Sequence, residues 1–145
     1  MTSSEFAHSV TALVNVPAEK AFAFMCDPLL LGRWSLGCME TRPTELEGVY
    51  TGTSLFDGGM GFFEIDADEK RLIVDFRLGD LKQRQPRISA RIIPAEVCGL
   101  EEGSCYLTLD AWRSAGMDEA RWERLRRAHE AEIFLIKAQC EALFA

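Results

Sequence analysis

Histidine is scarce: His8 and His129 are the only two in 145 residues. No zinc-ligand spacing can be built from them, so a structural metal is not expected, and no cofactor motif is present. The cysteines Cys26, Cys38, Cys98, Cys105 and Cys140 are dispersed, with no C-x-x-C among them. An odd, scattered set reads as reduced thiols, several of them core filler. No uncharged apolar run approaches the ~20 residues that a membrane span requires. The opening MTSSEFAHSV lacks a basic region followed by an apolar run, so it is not a secretory signal. A cytoplasmic location is the expectation.

Positive charge is also in deficit, with 16 basic against 23 acidic residues and a net charge of −7. Duplex nucleic acid and anionic membranes are bound through Lys and Arg, which makes either an unsuitable partner. Arg121, Arg124, Arg126 and Arg127 do cluster, but Glu119, Glu123, Glu130 and Glu132 are interleaved with them. That pattern reads as a solvated helix face laced with ion pairs. The glycine run Gly58-Gly59-Met60-Gly61 lacks the spacing of a phosphate loop and reads as a hairpin turn. No serine has a His and an acid placed beside it by sequence, so nucleophilic catalysis has no support.

What is present is strand alternation. In Phe6–Val16, Val10, Ala12, Val14 and Val16 share one face. Further strands are expected at Gly37–Arg42, Val49–Phe56, Gly61–Ala67, Arg71–Leu78, Arg87–Ile93 and Ser104–Trp112, divided by Gly- and Asp-rich turns. One-sided alternation such as Leu72, Val74, Phe76 and Leu78 marks antiparallel strands with a wet face. Too few helices intervene for parallel crossovers. A long helix closes the chain from about Asp118 to Phe144, with Asp118 as N-cap and Met117 placed to staple onto Trp122.

Two short helices interrupt this order early. Pro17 opens the first, which carries Ala18, Ala21, Phe22 and Met25 on one stripe. Asp27-Pro28 stops it and starts the second, which Gly32 ends. The run VNVPAEKAFAFMCDPLLLGRW, with Val16-Pro17-Ala18-Glu19, Asp27-Pro28 and Trp34, resembles the entry segment of the START-like helix-grip superfamily. That superfamily includes the pollen-allergen and polyketide cyclase/dehydrase families. The resemblance implies one α+β domain over residues 1–145. A curved antiparallel sheet of about seven strands would grip the C-terminal helix, with the short helices closing one end. It also implies a cavity beneath that helix which takes a hydrophobic small molecule.

At about 100° per residue, Trp122, Leu125, Ile133, Ile136, Cys140 and Leu143 make one apolar stripe with His129 near its centre. His129 there is a core histidine, a ligand contact or a general acid–base; the sequence leaves all three open. Trp34 is either a plug at the sheet's end or a wall of the cavity mouth. Tyr50, Ser54 and Phe56 share one strand face and Phe63 and Ile65 another, but Val49, Thr51, Thr53 and Leu55 make a rival core set. The expected ligand-binding residues are therefore His129, Trp34, Tyr50, Ser54, Phe56, Phe63, Phe76, Trp122, Leu125 and Ile133. Glu64, Asp66, Asp75 and Arg77 lie opposite the core sets and read as solvated.

The expected function is a binding or carrier module for a hydrophobic small molecule. A cyclase/dehydratase-like enzyme using His129 as acid–base is the alternative, but it needs a polar partner that the sequence does not identify. A third reading is an interaction module like the heat-shock ATPase activators that share this fold. For that, or for a homodimer, the off-stripe Phe134 and Leu135 would supply a surface.

Overall fold

The computed structural model describes residues 5–144. Seven strands form one antiparallel sheet: β1 (Ala7–Val14), β2 (Met39–Pro43), β3 (Tyr50–Thr53), β4 (Met60–Asp68), β5 (Ile73–Gly79), β6 (Arg84–Pro94) and β7 (Cys105–Trp112). Their spatial order is β1-β7-β6-β5-β4-β3-β2. Strands β2 to β7 thus run as a meander, and β1 returns to pair with β7. Since β1 and β2 lie at opposite edges, the chain between them must cross the whole sheet. Helices α1 (Ala18–Cys26) and α2 (Pro28–Leu31) make that crossing. Helix α1 packs against β5, β6 and β7, and α2 against β2. This is what the two back-to-back helices are for.

The local signals act as their chemistry requires. The Asp27 carboxylate accepts from the Leu29 and Leu30 N–H groups at 2.9 and 3.3 Å, capping α2 above Pro28. Gly32 ends α2 for a different reason from the one expected. Its φ of −64° is ordinary helix, but a Cβ there would stand 2.4 Å from Thr41 N. Glycine lets α2 dock directly on β2, where the Thr41 hydroxyl donates to Pro28 O at 2.6 Å.

Rows of paired residues build the concave face. Val10, Leu109, Ala90 and Val74 form one row, and His8, Ala111, Ile88 and Phe76 the next. Against this face lies α3 (Glu119–Leu143), capped by the Asp118 carboxylate accepting from Arg121 N–H at 2.8 Å. Met117 and Trp122 pack together with Ala111 in a core cluster of their own. Several details differ from expectation, among them these. Strand β6 starts at Arg84, a 3-10 turn forms at Ala95–Cys98, and β3 stops at Thr53, after which Ser54 N–H donates to Gly59 O to close a loop. All five cysteines are free, with Cys105 and Cys140 buried. Among the described residues no helix is long and apolar enough to cross a membrane.

Candidate functional site: a cavity between sheet and C-terminal helix

The sheet curves away from α3 along part of its length and leaves a cavity of about 310 Å³. Its walls are α2 and the segment after it (Leu31, Trp34), the β3–β4 loop (Ser54, Phe56), the inner face of the sheet (Phe63, Phe76) and α3 (Leu125, His129, Glu132). Seven of the ten expected site residues are brought together here: His129, Trp34, Ser54, Phe56, Phe63, Phe76 and Leu125.

Three are not among the lining residues. Tyr50 stacks on Phe63, with ring centroids 5.8 Å apart, and stands behind it. Trp122 is fully buried against Ala111 and Met117, and Ile133 belongs to the main core. Helix geometry explains the last two. At about 100° per residue, Trp122, Ile133 and Cys140 fall within about 20° of one another. Leu125, Ala128 and Glu132 are centred roughly 90° away, and they face the cavity. His129 lies between the two sectors. Within the expected stripe, Trp122, Ile133, Ile136 and Cys140 are thus a core seam, Leu125 and His129 belong to the cavity wall beside it, and Leu143 is exposed.

Of the two candidate faces for Val49–Phe56, the one carrying Tyr50 points inward. Tyr50 pairs with Phe63, and Gly52 pairs with Gly61 and sits against Cys38. Ser54 and Phe56 reach the cavity through the loop after β3, rather than from a strand. Phe134 is exposed, as its off-stripe position requires, but Leu135 packs on the core and is not a free surface.

Glu132 also departs from expectation. Instead of joining the solvated ion-pair face it is 3% exposed, and its Oε2 accepts from Leu36 N–H at 2.7 Å. The usable signal was its spacing, since a residue three positions after His129 shares a helix face with it. His129 Nε2 and Glu132 Oε1 are 3.7 Å apart, too far for a hydrogen bond. That distance makes an ion pair only if the imidazole is protonated. Burial opposes this: it lowers His129 to about 4, with added repulsion from His8, and raises Glu132 to about 7 against the Leu36 hydrogen bond. Near pH 7 a neutral imidazole therefore sits beside a carboxyl group close to its midpoint.

Other polar atoms converge on the same space. His129 Nδ1 and the Trp34 indole N–H are buried with no hydrogen-bond partner among the described residues. Trp34 meets Phe76 edge-on at 6.0 Å, packs in the main core and lines the cavity. At the far end Arg124 pairs with Asp57 at 3.7 Å and lies over the Phe56 ring, 4.9 Å from its centroid. Arg126 and Arg127 are tied to Glu119, Glu123 and Glu130; Arg127 is on the solvated face expected, whereas the Arg126 side chain is largely buried, at 21% exposed.

No family model matches the sequence, and no curated protein matches it either. Solved structures do match in fold. The Zhui aromatase/cyclase from Streptomyces sp. R1128 is 19% identical, with a TM-score of 0.62 over 93% of each chain. The di-domain ARO/CYC BexL from the BE-7585A biosynthetic pathway is 15% identical with a TM-score of 0.65. The match takes in 93% of this chain but only 46% of BexL, so this chain spans about half of that protein. The protein XoxI from Bacillus cereus is 10% identical with a TM-score of 0.70, over 95% of this chain and 97% of that one. The likeness is one of fold: an antiparallel sheet gripping a long C-terminal helix, shared with these aromatase/cyclases.

Proposed function

We propose that the protein binds a hydrophobic small molecule in the cavity between the sheet and α3. The observation that carries this reading is the cavity's make-up: about 310 Å³ lined by Leu31, Phe63, Phe76, Leu78 and Leu125, with Trp34 and His129, whose buried N–H and ring nitrogen lack partners among the described residues, in the same wall. Small-molecule sites have this composition, and the volume is at the lower end of their range. The test is calorimetric titration with compact apolar compounds such as 2-naphthol, alongside an Ala128→Phe variant. Ala128 lines the cavity, and a phenyl group there would occupy it. Binding to the wild type that is lost in a folded Ala128→Phe protein supports the reading; unchanged binding contradicts it.

A second reading is acid–base catalysis of the aromatase/cyclase kind. It is favoured by the Glu132–His129 pair and by the names of two fold relatives. Glu132, at about 7, is better matched to proton transfer near neutrality than His129 at about 4. Its role would be to give or take a proton at a ligand carbonyl or hydroxyl, with the Trp34 N–H positioning that oxygen. Turnover of a cyclisable poly-β-ketone that is abolished by Glu132→Gln, with binding retained, would establish it.

A further inference from the structure

Arg87 and Ile88 are consecutive in β6, yet both line the cavity. A regular strand sends successive side chains to opposite faces. The register supplies the cause. Phe76 is paired with Ile88 and Arg77 with Pro86, which leaves Arg87 without a partner on β5. The extra residue is a β-bulge, a device that re-aims a side chain. Here it turns a guanidinium inward beside an isoleucine. Arg87 Nη1 is buried and has no hydrogen-bond partner among the described residues.

Arg121, an exposed residue in the first turn of α3, lines the cavity as well. Burial, with added repulsion from Arg121, lowers the Arg87 pKa. Among the described residues neither is joined to a carboxylate by an ion pair, whereas Arg124 is held by Asp57. Asp57 also feels Arg121, so this end carries three cations to one carboxylate. Glu132 is at the other end: the eleven-residue step from Arg121 covers roughly 16 Å of helix. A buried guanidinium N–H left unpaired beside a like charge is unfavourable until an anion arrives.

We propose that the cavity selects an organic acid, with its apolar body along Phe63, Phe76 and Leu125 and its carboxylate between Arg87 and Arg121. This rests on the ligand-binding reading and gives it a chemical class. A carboxylate is the smallest head that presents one oxygen to each guanidinium, and such charge-assisted contacts are the strong ones.

The experiment is calorimetric titration with 2-naphthoate and its neutral isostere 2-naphthamide at pH 7.5. The acid should bind at least tenfold more tightly, and 0.5 M salt should weaken the acid alone. Arg87→Gln and Arg121→Gln should each cut the acid-to-amide ratio at least fivefold and leave amide affinity within twofold. Arg127→Gln, on the solvated face, should leave the ratio unchanged. Arg87→Gln should not lower Tm, since it relieves repulsion; if it does not fold, Arg121→Gln decides. Equal binding of acid and amide, or a ratio that survives both substitutions, overturns this inference and leaves the cavity reading standing. Failure of both compounds to bind overturns the two together.

Discussion

His129 Nε2 stands 3.7 Å from Glu132 Oε1, one turn apart on α3, with both side chains buried against one cavity. Desolvation acts on the two in opposite directions, because each resists acquiring charge. The imidazole is held neutral down to about 4 and the carboxyl stays protonated up to about 7. An unusual pH dependence of stability follows.

Glu132 keeps its proton in the native state above the ordinary 4.5, so its contribution to stability falls as pH rises from 4.5 to about 7. His129 loses its proton in the native state below the ordinary 6.5, so its contribution rises with pH from about 4 to 6.5. Each slope is about 1.4 kcal/mol per pH unit, and they cancel where they overlap, at roughly pH 4.5–6.5. Urea unfolding of Glu132→Gln should reveal the His129 slope, with stability dropping as pH falls from 6.5 to 4. His129→Phe should reveal the opposite one, with stability dropping as pH rises from 4.5 to 7. Identical pH profiles for wild type and both variants would rule out opposed burial of the pair.

Gly32→Ala should destabilise the protein by about 1–3 kcal/mol, the usual cost of forcing an extra methyl into close packing. The new Cβ would meet Thr41 N at 2.4 Å and Thr41 Oγ1 at 2.5 Å, prising α2 from β2. Chemical denaturation measures this directly. A neutral or stabilising result would mean that α2 does not dock as closely as described.

The two buried tryptophans should respond differently to shortening. Trp34 borders the cavity and its N–H has no partner among the described residues, so Trp34→Phe should cost under about 1 kcal/mol. Trp122 is enclosed by Ala111, Met117 and Ile88, so Trp122→Phe leaves a void and should cost about 2 kcal/mol or more. Equal costs, measured by thermal unfolding, would contradict the placing of Trp34 at the cavity wall and of Trp122 in the packed seam of α3.

The fold was largely legible because its determinants are local. Alternation marked the strands, Asp27-Pro28 and Asp118 marked helix starts, and Met117 foretold its contact with Trp122. The cavity was legible only in outline. Glu132 looked solvated because its Arg and Glu neighbours are, and only the sheet's curvature decides which sector of α3 is covered. Tyr50 and Ile133 were expected in the site because strand and helix periods find a buried face without separating core from cavity wall. The inward turn of Arg87 was invisible, since a bulge depends on the register with β5.

The most direct test of the central claim is a two-dimensional NMR titration of the ¹⁵N-labelled protein with 2-naphthoate. The account predicts saturable shifts in the Trp34 indole N–H and in the amides of Gly61, Arg87, Leu125, His129 and Glu132, which surround the cavity. The exposed Phe134 and Leu13 amides, on other surfaces, should stay unmoved. Shifts confined to those exposed positions, or no saturable shift at the cavity residues, would contradict it.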